Sequence, residues 1–274
     1  MKINVFNTFV GLTLILGLFA SCKDKPKNGR TDTYSSGTIK FVSDESFSPI
    51  IDEQREIFEF VYPKAKLVPI YTNELDGVNM LMKEQVYLAI TSRNFTDKEA
   101  ANLEARRFQP IAIPLAFDGL ALIVNNSNPD TIISVNDIKQ ILSGKVAKWK
   151  ALYPNSKLDS IEVAFDNKQS STVHYCVDSL LGGKPINSPN IYAVDKSAEV
   201  IDFVEKHPNA IGIIGSNWLN DKRDTTNVTF KRNIRVMGVS RIHPATVESS
   251  WKPYQYYLWN GNYPLVRTIY ALLK

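Results

Sequence analysis

From Thr38 to the C-terminus, apolar runs of strand length alternate with segments whose apolar residues recur at helical spacing. Such an alternation buries its apolar faces only by laying helices on a sheet, so the chain is expected to be α/β. Residues 38–43 predict a strand, and Ser48 is placed as the cap of a following helix, with Pro49 in its first turn. That helix is expected to bury Ile50, Ile51, Ile57, Phe58 and Val61. Strands over 66–71 and 86–91 flank a helix over 73–85, and Thr96 with Glu99 forms a capping box for a helix ending near Arg106. Pro110 and Pro114 interrupt the apolar stretch 108–125, which argues against one continuous strand and for a chain crossing between two lobes. Beyond it the pattern predicts a helix from Ser134 to Leu142, a strand over 161–165 and a helix over 172–181 stopped by Gly182 and Gly183. A helix over 197–206 and strands over 210–214 and 234–239 follow. The apolar segment after Pro264 is expected to be helical.

The N-terminus has a different character. A lone charge, Lys2, precedes the apolar run 10–19, which breaks at Ala20-Ser21-Cys22. The run is too short to span a bilayer and matches a secretory signal, while the small residues before Cys22 resemble a bacterial lipobox with Cys22 as the lipidated residue. The expected placement is therefore extracytoplasmic, at the cell envelope, held to the membrane through the lipid alone. Residues 22–37 are polar, charged and rich in Gly and Ser, as in a flexible tether. Cys176 then has no partner for an internal disulfide, and stability rests on the core. The formal net charge is +4, one unit of it from Lys2, with no basic run of the kind nucleic acid requires. The expected division is signal 1–21, tether 22–37, a first lobe of 38–115 with 237–274, and a second lobe of 116–236, as a monomer.

Loops that end a strand and lead into a helix present free backbone N–H groups and can bind anions without a metal. Three such places occur: Asp44 to Ser48, Thr91-Ser92-Arg93, and Ser170-Ser171-Thr172. Hydroxyls there can donate to an oxyanion, and Arg93 supplies a fixed charge with a fork geometry. Each has a plainer reading, helix capping for the hydroxyls and a structural ion pair for Arg93. Asp44 and Asp166 are expected to point away from a bound anion. The chain has no Gly-x-Ser-x-Gly elbow, and His174, His207 and His243 lack metal-ligand spacing, so neither enzyme activity, a metal nor a cofactor is expected. The segments 138–149 and 254–263 are best explained by packing.

In order along the chain, Ser92-Arg93, the segment 117–125, the segment 138–149, Ser170-Ser171-Thr172 and the segment 209–215 resemble the substrate-binding proteins of bacterial phosphate ABC transporters. The resemblance spans nearly the whole mature chain. It implies a two-lobed type II periplasmic-binding-protein fold, each lobe a mixed sheet flanked by helices, with two crossovers between lobes. It also implies capture of phosphate in the cleft for an ABC permease, with Asp44, Glu45, Ser46, Ser92, Arg93, Ser170, Ser171 and Thr172 as ligand contacts. The chain departs from the family pattern where Ser171 replaces a glycine, where Asp166 and Asn167 stand in place of an upstream arginine, and where Asp44-Glu45 makes the first loop acidic. These departures keep open a different small oxyanion, such as sulfate or molybdate, or a non-transport role as a sensor or envelope-interaction lipoprotein.

Overall fold

The computed structural model describes residues 33–220, 230–231 and 233–274. The signal run, Cys22 and most of the tether lie outside the described residues. The first lobe begins with β1 (Ser36–Asp44), α1 (Ser48–Val61), β2 (Lys64–Thr72), α2 (Glu74–Met82), β3 (Leu88–Thr91) and α3 (Asp97–Ala105), after which β4 (Ile111–Asn125) crosses to the second. There follow β5 (Ile132–Ser134), α4 (Val135–Leu142), β6 (Glu162–Phe165), α5 (Ser171–Tyr175) running into a π-helical turn (Cys176–Leu180), β7 (Ile191–Ala193), α6 (Ser197–Lys206) and β8 (Ala210–Gly215). The chain closes with β9 (Ile234–Val236), β10 (Gly238–Ser240), β11 (Ser250–Trp251), α7 (Gln255–Trp259) and β12 (Val266–Leu273). Among the described residues one mixed sheet runs β2-β1-β3-β12-β4-β8-β6-β7, with β9 also on β4, and a small sheet runs β11-β10-β5.

β4 links the lobes. Its first half pairs with β12, and Leu120–Val124 pairs with β8. It is one continuous strand, contrary to the expectation from the prolines. Pro114 is tolerated because its half of the strand pairs on one side only and carries a bulge: Ile269 faces Ala116 and Tyr270 faces Pro114, leaving Leu115 out of register. The terminal segment is a strand, not the expected helix. β12 fills the gap between β3 and β4, satisfying both open edges, and every second residue, Arg267, Ile269 and Ala271, is buried.

Several local readings hold. Thr96 and Ser134 each make both bonds of a capping box, and α6 starts and stops where the pattern placed it. Others shift. Phe47, not Ser48, is the residue before α1, and it makes no side-chain cap; Ser48 is the first helical residue. Ile50 and Ile51 pack on the sheet, yet Ile57 and Val61 are 59 % and 57 % exposed, because the later turns of α1 leave an open apolar hollow over Phe41 and Leu67 that these side chains line without filling. Met237, Val239, Tyr263 and Leu265 belong to the core of the second lobe, and β10 pairs with β5 there, whereas the expected division put 237–265 in the first. Met237 also separates β9 from β10, which serve different sheets. Trp149 is fully buried and donates its indole N–H to the Asn209 carbonyl at 2.9 Å, so the 138–149 segment is packing, as expected.

Gly212 on β8 sits where an added Cβ would meet Ile123, Val200 and Val204 at 2.8 Å each. Gly212→Ala is therefore expected to destabilise the fold by about 1–3 kcal/mol through overpacking, read as a lower urea midpoint at unchanged slope.

Candidate functional site

The first strand ends at Asp44, which is 1 % exposed and caps a tight turn, Glu45–Phe47, by accepting from the Ser46 N–H at 2.9 Å. Its carboxylate does more than cap. Oδ1 also accepts from the Ser46 hydroxyl at 2.5 Å and from the Ser171 hydroxyl at 3.0 Å, and Oδ2 accepts from the Ser171 N–H at 3.1 Å. Two loops from opposite lobes, 127 positions apart, thus close on one buried carboxylate. Behind the serines lies Arg267 of β12, which donates to the Ser171 hydroxyl at 2.8 Å and the Ser46 hydroxyl at 3.2 Å. The guanidinium is held by Asp118 of β4 at 2.9 and 2.8 Å and stacks over the Phe47 ring at 4.6 Å.

Burial, and secondarily the charge of Glu74, raises the Asp44 carboxyl above the usual carboxylate range, against the serine bonds and Arg267, which lower it. Asp166 is likewise buried and, with Asp44 nearby, is pushed up to about 6. Both carboxylates are turned onto the hydroxyls of the third loop. Asp166 Oδ1 accepts from the Ser170 hydroxyl at 2.6 Å, and Oδ2 accepts from Thr172 at 3.3 Å, so these two members of the third loop are turned onto an aspartate. Ser170 also caps α5. Glu45 reaches across the cleft to the N–H and hydroxyl of Ser197 at 3.1 and 2.8 Å, and burial raises its carboxyl too.

The second loop stands apart. Ser92 gives its N–H and hydroxyl to Glu74 at 2.7 and 3.0 Å, and Arg93 makes a bidentate pair with Glu99 at 2.8 and 2.9 Å. Among the expected contacts the structure brings Asp44, Ser46 and Ser171 together, sets Glu45, Ser170 and Thr172 beside them on acidic or hydroxyl partners, and commits Ser92 and Arg93 elsewhere. Residues that sequence reasoning missed are Arg267, Asp118, Asn217 and Trp218; the last two both donate to the Ser46 carbonyl at 3.0 Å. A lone arginine inside an apolar terminal run was the available signal for Arg267. Reading that run as a helix hid which residues it would meet.

A further link between lobes joins Glu74 of α2 to His174 of α5 at 2.8 Å. Arg93 and Asp178 face the same histidine. The bond to Glu74 raises the His174 pKa against burial; burial raises that of Glu74, but its bonds to His174 and Ser92 outweigh this and leave it low. Among the described residues no group of acids, histidines or cysteines is arranged to hold a metal, and no helix is long and apolar enough to cross a membrane.

Two lobes on one shared sheet, linked by β4 and by the return into β12, with loops of both converging on a single buried oxyanion, define a cleft-type solute-binding architecture. The model of the PBP superfamily domain matches residues 28–274, and the chain belongs to that superfamily. The phosphate-binding protein PstS of Borreliella burgdorferi is 22% identical over 240 residues, covering 84% of this chain and 77% of the relative. PstS of Pseudomonas aeruginosa is 23% identical over 250 residues, covering 87% and 73%. Among solved structures, a putative phosphate ABC transporter substrate-binding protein with bound phosphate from Clostridium perfringens superposes with a TM-score of 0.70 at 19% identity, covering 87% and 86%. An ABC-type phosphate transport receptor from Vibrio cholerae gives 0.61 at 22%, covering 86% and 87%. The two-lobed type II fold and the resemblance to phosphate-transport receptors are thereby borne out.

The His174–Glu74 pair has a defined pH window. A raised histidine pKa contributes stability fully below its unfolded value and loses it as pH rises through the folded value, while the lowered Glu74 contributes above its unfolded value. The stability difference between the wild type and His174→Gln is expected to be largest under mildly acidic conditions and to shrink in alkaline buffer, measured by urea denaturation across that range.

Proposed function

We propose that this chain captures a small tetrahedral oxyanion, phosphate foremost, in the cleft between its lobes and presents it to an ABC permease. The observation that carries this reading is the convergence of the Ser46 and Ser171 N–H and hydroxyl groups on one carboxylate, with the Arg267 guanidinium behind them. A carboxylate is itself an oxyanion, and donors arranged to bind one suit another of similar reach. The printed names of the relatives, phosphate-binding and phosphate-transport proteins, supply phosphate as the first ligand to test.

In this reading Arg267 provides the cation that the family pattern places upstream of the third loop. Asp118 fixes its orientation. Ser170 and Thr172 stand one layer out with Asp166, and Arg93 braces the second loop through Glu99. Cys22 carries the lipid that holds the protein on the extracytoplasmic side of a membrane, as a monomer. No catalytic group is assigned, because the hydroxyls lie against carboxylates and a guanidinium and none is paired with a histidine as an activating base.

Titration calorimetry of the soluble domain, stripped of ligand, against phosphate with sulfate as control tests the reading. Saturable binding is expected, and a folded protein silent to every oxyanion overturns it. Arg267→Ala is expected to weaken binding about tenfold or more, the loss of one charge-assisted donor pair, with a melting curve confirming the fold. Arg93→Ala is expected to leave affinity within about threefold, since Glu99 already fills its fork.

Acidity is the third arm of the same titration. As pH falls below about 6, Asp166 takes up a proton and the cleft sheds negative charge. Affinity for sulfate, whose own charge is constant there, is expected to rise.

A further inference from the structure

In the closed arrangement the donors of the cleft are already occupied. Asp44 takes bonds from Ser46 N–H, Ser46 Oγ, Ser171 N–H and Ser171 Oγ, and the two serine hydroxyls lie 2.9 Å apart with no gap between them. Ser46 and Ser171 are fully buried and Arg267 is 4 % exposed. Arg267 donates to both hydroxyls, and those hydroxyls donate to Asp44, so the charge of the guanidinium is relayed onto the carboxylate. An incoming oxyanion seeking these groups meets them spent.

We propose that the Asp44 side chain is an internal ligand mimic: its carboxylate occupies the oxyanion's place, joins the first lobe to the second through Ser46 and Ser171, and must swing out before an anion can bind. This deepens the oxyanion reading of the same cleft and rests on it for the identity of the competitor. The chemistry is one of exchange, carboxylate for oxyanion on a shared set of donors. Apparent affinity is then the intrinsic affinity scaled by the fraction of molecules whose cradle is free. Other contacts across the lobes, Glu45 to Ser197 and Glu74 to His174, hold the closed form but take none of these donors.

The distinction from an ordinary ligand-contacting aspartate is sharp. A contact residue loses affinity when altered; a mimic gains it. Asp44→Asn keeps the size but turns an NH2 toward donors that need an acceptor, so the latch fails while the serines and Arg267 remain. Asp44→Ser, which removes the carboxylate altogether, is the second variant should the first not fold.

Two readouts are taken on each protein. Without ligand, hydrogen exchange at the Ser46 and Ser171 amides is expected to speed up in the variant, and unchanged exchange overturns the latch. With phosphate or sulfate, calorimetry is expected to show binding on the order of tenfold tighter or more in the variant; equal or weaker binding than wild type overturns the mimic. If exchange speeds up while neither protein binds any oxyanion, the latch stands and the oxyanion reading falls.

Discussion

A guanidinium buried at 4 % exposure has to be paired, and the way Arg267 is paired organises the centre of this molecule. Asp118 takes the charge at 2.8 and 2.9 Å, and Phe47 covers the flat face of the fork. Two donors are left over for the serines of opposite lobes. Removing either half of the Arg267–Asp118 pair leaves a buried charge uncompensated, so the two residues act as one unit. The pair is possible because β4 and β12 are hydrogen-bonded neighbours with Arg267 directly opposite Asp118. The strands that join the lobes are therefore the strands that supply the cleft with its cation.

The same cleft holds a high density of acid. Asp44, Glu45, Glu74 and Asp166 are each drawn into hydrogen bonds with hydroxyls, backbone N–H groups or a histidine, which is the condition for burying them at all. Burial still raises the carboxyls of Asp44, Glu45 and Asp166, while Glu74 is kept low by the His174 and Ser92 bonds. Proton uptake by Asp44 or Asp166 removes negative charge from beside Arg267.

Much of the architecture was legible along the chain, and the reasons differ from element to element. Capping boxes at Thr96 and Ser134 and the apolar period of 197–206 are local, satisfied within one turn of helix, and they held. The segment 266–273 was misread because an apolar run of that length is ambiguous until its neighbours are known, and here two open strand edges decided for β. Pro114 looked disruptive only because a one-sided, bulged stretch of strand could not be anticipated. In the site, Ser46 and Ser171 were reached through motif and loop position, whereas Arg93 was claimed by Glu99 of α3, which the capping box holds near Thr96 without showing that its carboxylate also takes the guanidinium.

What the sequence alone determined was the alternation of strand and helix, the caps, and the loops at strand ends where an anion could be met, because those depend on neighbours a few residues away. What only the tertiary structure decided was which groups share the cleft. Arg267 and Ser46 are 221 positions apart and Asp44 and Ser171 are 127; such pairs are set by strand order and register across the lobes, and no local pattern carries that information.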